Sequence, residues 1–269
     1  MDQNSSSQSC DTPPNEPSRE ELNAELLEVP EPPEQPAPIE PPGIEQVLAS
    51  ALSYVRGARG GDLVAVILVG SGARRALTPH SDLDLIALIR GQDEGQEIIR
   101  IADRFVEIRY RAQKAVEEEL SLAPRLPPLL RKGRVLFEYE RGVGTRLLEK
   151  AQQRFRQGPP PVGLNEKIRL KTACLHWLGK AEDLMDQPAI AQYLLGIFLE
   201  DLVEVFFRLR GFWLTSPSDM LRFVSSRDPA MGDLLNRFLT SLSLTERLEL
   251  GRQLADLLLK DVPNAPRVD

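Results

Sequence analysis

Residues 69 to 85 read VGSGARRALTPHSDLDL and hold the side chains best suited to chemistry. Gly70 and Ser71 follow a valine-rich apolar run, and ten intervening residues later Asp82-Leu83-Asp84 opens another apolar run. A glycine at a strand end lets backbone N–H groups approach a phosphate closely, and the Ser71 hydroxyl adds a donor where negative charge would sit. If a helix starts just after Gly72, its N-terminus adds a further preference for an anion. Residues two apart on a strand share a face, so Asp82 and Asp84 project together while Leu83 and Leu85 point to the other side. Adjacent carboxylates repel unless a cation lies between them. Magnesium suits this pair, because it takes oxygen ligands from one or two carboxylates and completes its octahedron with phosphates and water.

A third carboxylate is available in FVEIRY, where Glu107 alternates with Val106, Ile108 and Tyr110 and so faces away from them. Glu97 and Asp103 are the competing acids nearby. Two metal ions roughly 3.5 to 4 Å apart, shared by three such carboxylates, would activate an acceptor oxygen and stabilise a pyrophosphate leaving group. His80 has no second ligand-like histidine beside it and is read as a loop residue.

Gly70-Ser71, the ten-residue spacer, Asp82-x-Asp84 and the later Glu107 resemble the nucleotidyltransferase superfamily related to DNA polymerase beta. The form GSGARR…SDLDL looks most like the minimal nucleotidyltransferases and the kanamycin-type antibiotic nucleotidyltransferases. The resemblance implies an α/β (α+β) catalytic domain with a small mixed sheet, followed by an α-helical bundle. It implies that Gly70, Ser71 and Arg74 hold nucleotide phosphates and that Asp82, Asp84 and Glu107 bind magnesium. Arg75 departs from the pattern, standing where many members have glycine. The implied reaction is transfer of a nucleoside monophosphate, most simply AMP from ATP, to an acceptor hydroxyl with release of pyrophosphate. The acceptor class is open: a small molecule, a protein or an RNA end. Kanamycin-type enzymes place a general base on the helical domain, and among Glu200, Asp201 and Glu204 the choice is Glu200. Glu204 can pair with Arg208 one turn on, whereas Glu200 faces Glu204 and gains proton affinity from that repulsion.

The elements that must position these residues follow from periodicity. Ile44, Val47, Leu48, Leu52 and Val55 recur at helical spacing until GARGGD. LVAVILV, DLDLIALIR, FVEIRYR and RVLFEYE read as strands. EIIRIA fits either a helix or a hairpin partner of FVEIRYR turning around Asp103 and Arg104. KAVEEEL and GVGTRLLEKAQQRFRQ read as helices, APRLPPLL as a proline-broken link. GPPP at 158 to 161 marks a change of character, beyond which only helical patterns remain. The expected organisation is therefore a tail over 1–43, a catalytic domain over 44–157 and a helical domain over 162–260.

The tail is rich in Ser, Pro, Glu and Gln, has too little to bury to offset its ordering entropy, and is expected to be disordered. Its REELNAELLEV stretch could form a helical turn. Apolar residues reach 42% and net charge is −7, enough for real cores and unfavourable for broad nucleic-acid binding. Cys10 and Cys174 suggest neither a disulfide framework nor a zinc site. No signal peptide or bilayer-spanning run is visible, so a cytoplasmic protein that binds no membrane is expected, with a homodimer left open. Two other functions compete. A nucleotidyltransferase-like antitoxin would hold a partner with little or no catalysis. Arg169 and His176, with six residues between them, resemble the HEPN ribonuclease motif; beside Trp177 in an apolar helix, His176 also reads as a packed helix histidine.

Overall fold

The computed structural model describes residues 43–139 and 142–267. Cys10 and the REELNAELLEV stretch lie outside them. Helix α1 (Ile44–Arg59) leads into strand β1 (Leu63–Val69), a four-residue helical turn α2 (Gly70–Ala73), and strands β2 (Leu83–Ile89), β3 (Gly95–Ile101) and β4 (Arg104–Ala112). Helices α3 (Gln113–Glu119) and α4 (Leu126–Leu130), strand β5 (Arg134–Glu138) and helix α5 (Val143–Arg156) complete this part. The sheet runs β3-β4-β2-β1-β5. β2 and β4 are parallel and the other pairs antiparallel, so the sheet is mixed.

EIIRIA is thereby settled as a strand: β3 pairs with β4 through a tight turn in which Ala102 takes a φ of 51°. Its isoleucines are β-branched and only partly covered, with Ile98 exposed, which suits an edge strand better than a helix. APRLPPLL is not a plain link, because Pro127 and Pro128 fall in the first turn of α4, where a missing N–H costs nothing.

All seven residues of β1 are buried because both faces of the sheet are covered there. One face packs Val66, Leu68, Leu83, Leu85, Val106 and Ile108 against Val47, Leu48, Ala51 and Val55 of α1. The other packs Val64, Ile67, Val69, Ile86 and Leu88 under Val116, Leu130, Leu147 and Ala151 of α3 to α5. On that second face β4 presents Phe105, Glu107, Arg109 and Arg111 instead of apolar residues.

Beyond Gly163 the chain is helical: α6 (Leu164–Asp183), α7 (Pro188–Arg210), α8 (Pro217–Arg227), α9 (Pro229–Thr240) and α10 (Leu244–Leu259). They share a separate core around Cys174, Phe198, Leu202, Phe206, Phe207, Leu235 and Leu254. Among the described residues no helix is long and apolar enough to cross a membrane. The mixed sheet with its helices, followed by a helical region, is the expected fold class.

Two side-chain expectations change here. Arg208 does not pair with Glu204; it reaches across to Glu166 at the start of α6, at 2.8 Å, where Arg169 also binds at 2.7 Å. A partner on a neighbouring helix closes the α6–α7 hairpin, which a pair within one helix cannot do. His176 is not packed into the core but lies exposed on α6, edge-on to Trp177 at 5.3 Å, because Cys174 and Leu178 take the buried stripe.

The Arg169 and Arg208 guanidiniums hold the Glu166 carboxyl down at about 2. A depressed pKa contributes stability above the unfolded carboxyl range, lost as pH falls through the folded value. Glu166→Gln is expected to lower the melting temperature by about 1–3 °C at pH 7, as a solvent-screened pair should. That difference should shrink between about pH 5 and pH 2 in parallel scans of the two proteins; a constant gap would remove the ion pair as its cause.

Candidate functional site

The site forms where β1 ends and β2 begins. Antiparallel pairing sets Val69 opposite Asp84, and parallel pairing sets Asp84 opposite Glu107. Neighbouring strands lie about 4.8 Å apart, so residues in register on one face hold their side chains within a cation's reach. Asp82, Asp84 and Glu107 each offer a carboxylate oxygen, and these oxygens all lie within 4.8 Å of one another. Asp82 is exposed; Asp84 and Glu107 are half-buried. Glu97 and Asp103 do not compete. Glu97 accepts a hydrogen bond from Tyr54 at 2.7 Å, and Asp103 sits in the exposed turn with Arg100.

Burial raises the proton affinity of Asp84, and the like charges of Asp82 and Glu107 raise it further against the opposing pull of Arg109. This is the electrostatic signature of a group that wants a cation. Three hard oxygen donors on one face fit a magnesium-type ion. Arg109, two residues beyond Glu107 on the same face, binds the Glu107 carboxylate and lies 3.8 Å from Asp84. Gln96 donates to the same Glu107 oxygen at 2.8 Å. Arg109 was readable from the alternation of FVEIRYR; Gln96 needed the β3–β4 register.

Gly70 is required by geometry. Its φ is +66°, in the left-handed region that side chains avoid, and an added Cβ would run into Asp84 Oδ2. The backbone therefore approaches the acidic cluster at the one residue that permits it. The helical turn starts at Gly70 rather than after Gly72 and spans four residues. So short a turn has little macrodipole, and its first N–H groups, which have no intrahelical acceptors, are the donors it offers. Arg75, in place of a family glycine, takes a φ of 55°. The loop keeps the glycine-like conformation and accepts strain of about 1–2 kcal/mol.

The Arg74 guanidinium pairs with Asp219 of α8 at 2.8 Å. Asp219 also accepts from Ser216 Oγ. Burial pushes its carboxyl up, but the bonds from Ser216 and Arg74 outweigh that and leave it below the usual range. Nothing local in SPSDM foretells this bridge. Glu200 is exposed on α7 and is not part of the acidic cluster. Arg169, committed to Glu166, and exposed His176 share α6.

No protein-family model matches the chain, and no curated protein matches it. Among solved structures it is similar to a nucleotidyltransferase-like protein from Exiguobacterium sibiricum 255-15. The identity is 16%, covering 81% of this chain and 75% of that one, with a TM-score of 0.46. A likeness that weak bears on no residue's role.

Proposed function

We propose that this chain is a magnesium-dependent nucleotidyltransferase that moves a nucleoside monophosphate, most simply AMP from ATP, onto an acceptor hydroxyl. The observation that carries this reading is the meeting of Asp82, Asp84 and Glu107 beside a glycine at which an added Cβ would strike Asp84. Asp82, Asp84 and Glu107 would hold the metal. Magnesium bound there supplies positive charge to the acceptor oxygen and to the leaving pyrophosphate. Gly70 and Ser71 lie where their N–H and hydroxyl groups can grip phosphate, with Arg74 alongside. Arg109 and Gln96 both bind one oxygen of Glu107 and so fix its rotamer. In the reaction a bond forms between the acceptor oxygen and the α-phosphorus, the bond from that phosphorus to the bridging oxygen breaks, and pyrophosphate departs. The hydroxyl proton passes to a base.

For that base the candidate is Glu200, on the helical region. Glu200 is exposed and lies one turn before Glu204, whose expected partner Arg208 binds Glu166 instead. Glu200→Gln is expected to retain nucleotide binding while turnover falls by about a hundredfold. Undiminished turnover moves the base to Asp201 or Glu204, or to the metal-held acceptor alone.

The test of the whole reading is incubation of the pure protein with labelled nucleoside triphosphates, magnesium and a metabolite extract. Label transfer with pyrophosphate release supports it. RNA cleavage that persists in Asp84→Asn would instead favour a ribonuclease built on Arg169 and His176, and neither outcome would favour a non-catalytic binding module.

A further inference from the structure

A second arginine stands at the Gly70 end of β1. Strand β5 pairs with β1 so that Arg134 lies opposite Leu68, which places the segment just before β5 beside the end of β1 that leads into Gly70 and Ser71. Arg131 is in that segment. Its guanidinium lies 3.9 Å from the centre of the Phe155 ring. Phe155 stacks on Trp213, centroids 6.3 Å apart and planes 21° from parallel. Trp213 Nε1 in turn donates to the Phe155 carbonyl at 2.9 Å. This aromatic pillar joins the end of α5 to the segment that continues to Asp219, the partner of Arg74.

The two arginines on the pillar are satisfied differently. Arg154, 4.9 Å from the Trp213 ring, donates to the carbonyls of Gly158 and Ser121. For Arg131 the contact in hand is the Phe155 face; among the described residues its guanidinium forms no ion pair and donates no side-chain hydrogen bond. Stacking occupies the flat face of a guanidinium and leaves its in-plane donors, which form a fork suited to phosphate oxygens. Burial first, and the neighbouring Arg74 charge second, lower the proton affinity of Arg131. Two cations thus repel each other here, and the nearby carboxylate, Asp219, is shared by Arg74 at 2.8 Å and Arg222 at 3.2 Å. Such an arrangement is uphill unless an anion joins it, and a polyphosphate carries more than one negative charge across the required span.

We propose that Arg131 is a phosphate ligand which, with Arg74, receives the terminal phosphates of the nucleoside triphosphate, the portion that leaves as pyrophosphate. This rests on reading the strand-end cluster as a nucleotidyl-transfer centre. Asp219 is the internal anion that occupies Arg74 until those phosphates compete for it.

The experiment measures binding of inorganic triphosphate by calorimetry, without magnesium and at low salt, to the wild type, Arg131→Gln, Arg131→Lys and Asp84→Asn. The expected result is about a tenfold or greater loss of affinity in Arg131→Gln, partial recovery in Arg131→Lys, and no loss in Asp84→Asn. A purely structural Arg131 would give no such recovery by charge alone. Should Arg131→Gln fail to fold, Arg131→Met keeps an unbranched stem against Phe155 and carries the same comparison. Equal triphosphate affinity in wild type and charge-removed protein overturns the proposal, as does absence of binding in the wild type, and label transfer would survive either result. Arg131-dependent binding in a protein that transfers no label would leave the anion site standing and remove the reaction assigned to it.

Discussion

Asp84→Asn is expected to abolish nucleotidyl transfer and most of the magnesium response, while the magnesium-free protein becomes slightly more stable. Asp84 faces Asp82 and Glu107 with only Arg109 in partial opposition. Burial, then Asp82, raises its proton affinity, so in the metal-free fold its ionised form is disfavoured relative to the unfolded chain. The sign follows. The penalty is absent below the unfolded carboxyl pKa of about 3.9, where both states are protonated, and fully present above the raised folded value. The melting-temperature advantage of the Asn variant should therefore be largest at neutral pH and vanish as pH falls through the carboxylate range. Magnesium reverses the order, because an ion that binds only the folded wild type stabilises it by mass action. Melting curves at several pH values, with and without magnesium, run beside the transfer assay, check this. Full activity in the variant, or equal magnesium-dependent gains in both proteins, would sink the assignment of Asp84.

Gly70→Ala is expected to cost both stability and activity. Its φ of +66° makes any side chain unfavourable by about 1–2 kcal/mol, and the added methyl would meet Asp84 Oδ2 as well. Relief requires either the loop or Asp84 to move. Together these effects predict a melting temperature lower by about 5–10 °C, as a strained site in a chain of this size should show. Displacing a metal-ligating carboxylate by about 1 Å is expected to reduce turnover by a hundredfold or more. The effect on Asp84 separates this variant from ordinary backbone strain: its magnesium affinity should fall along with its turnover. Wild-type magnesium affinity in a destabilised Gly70→Ala protein would show that the glycine serves the loop alone.

How the site could be seen before the fold was known is a matter of range. Gly70, Ser71, Asp82 and Asp84 lie within fifteen residues of sequence, and alternation along a strand places both aspartates on one face whatever the rest of the chain does. Glu107 was legible because Val106, Ile108 and Tyr110 turn it outward, and the parallel register then set it opposite Asp84. The apolar run of β1 and the helical stripes beyond Gly163 were likewise local patterns, so the class of the fold could be stated from them. Local pattern failed where two readings had equal support. EIIRIA became a strand only because β4 offered an edge to pair with.

What the tertiary structure alone decided is which charges meet across long separations. Arg74 finds Asp219, Arg208 finds Glu166 instead of Glu204, and Arg131 reaches the Gly70 end of the sheet because β5 is antiparallel to β1. Charged side chains carry no periodic signal of their own; their partners are set by how buried faces pack, and that packing brings together residues the sequence keeps apart. The sequence by itself therefore determined the carboxylates, the glycine and the elements that bear them. Packing decided the cations around them, because an ion pair forms wherever the buried faces leave two charges in reach.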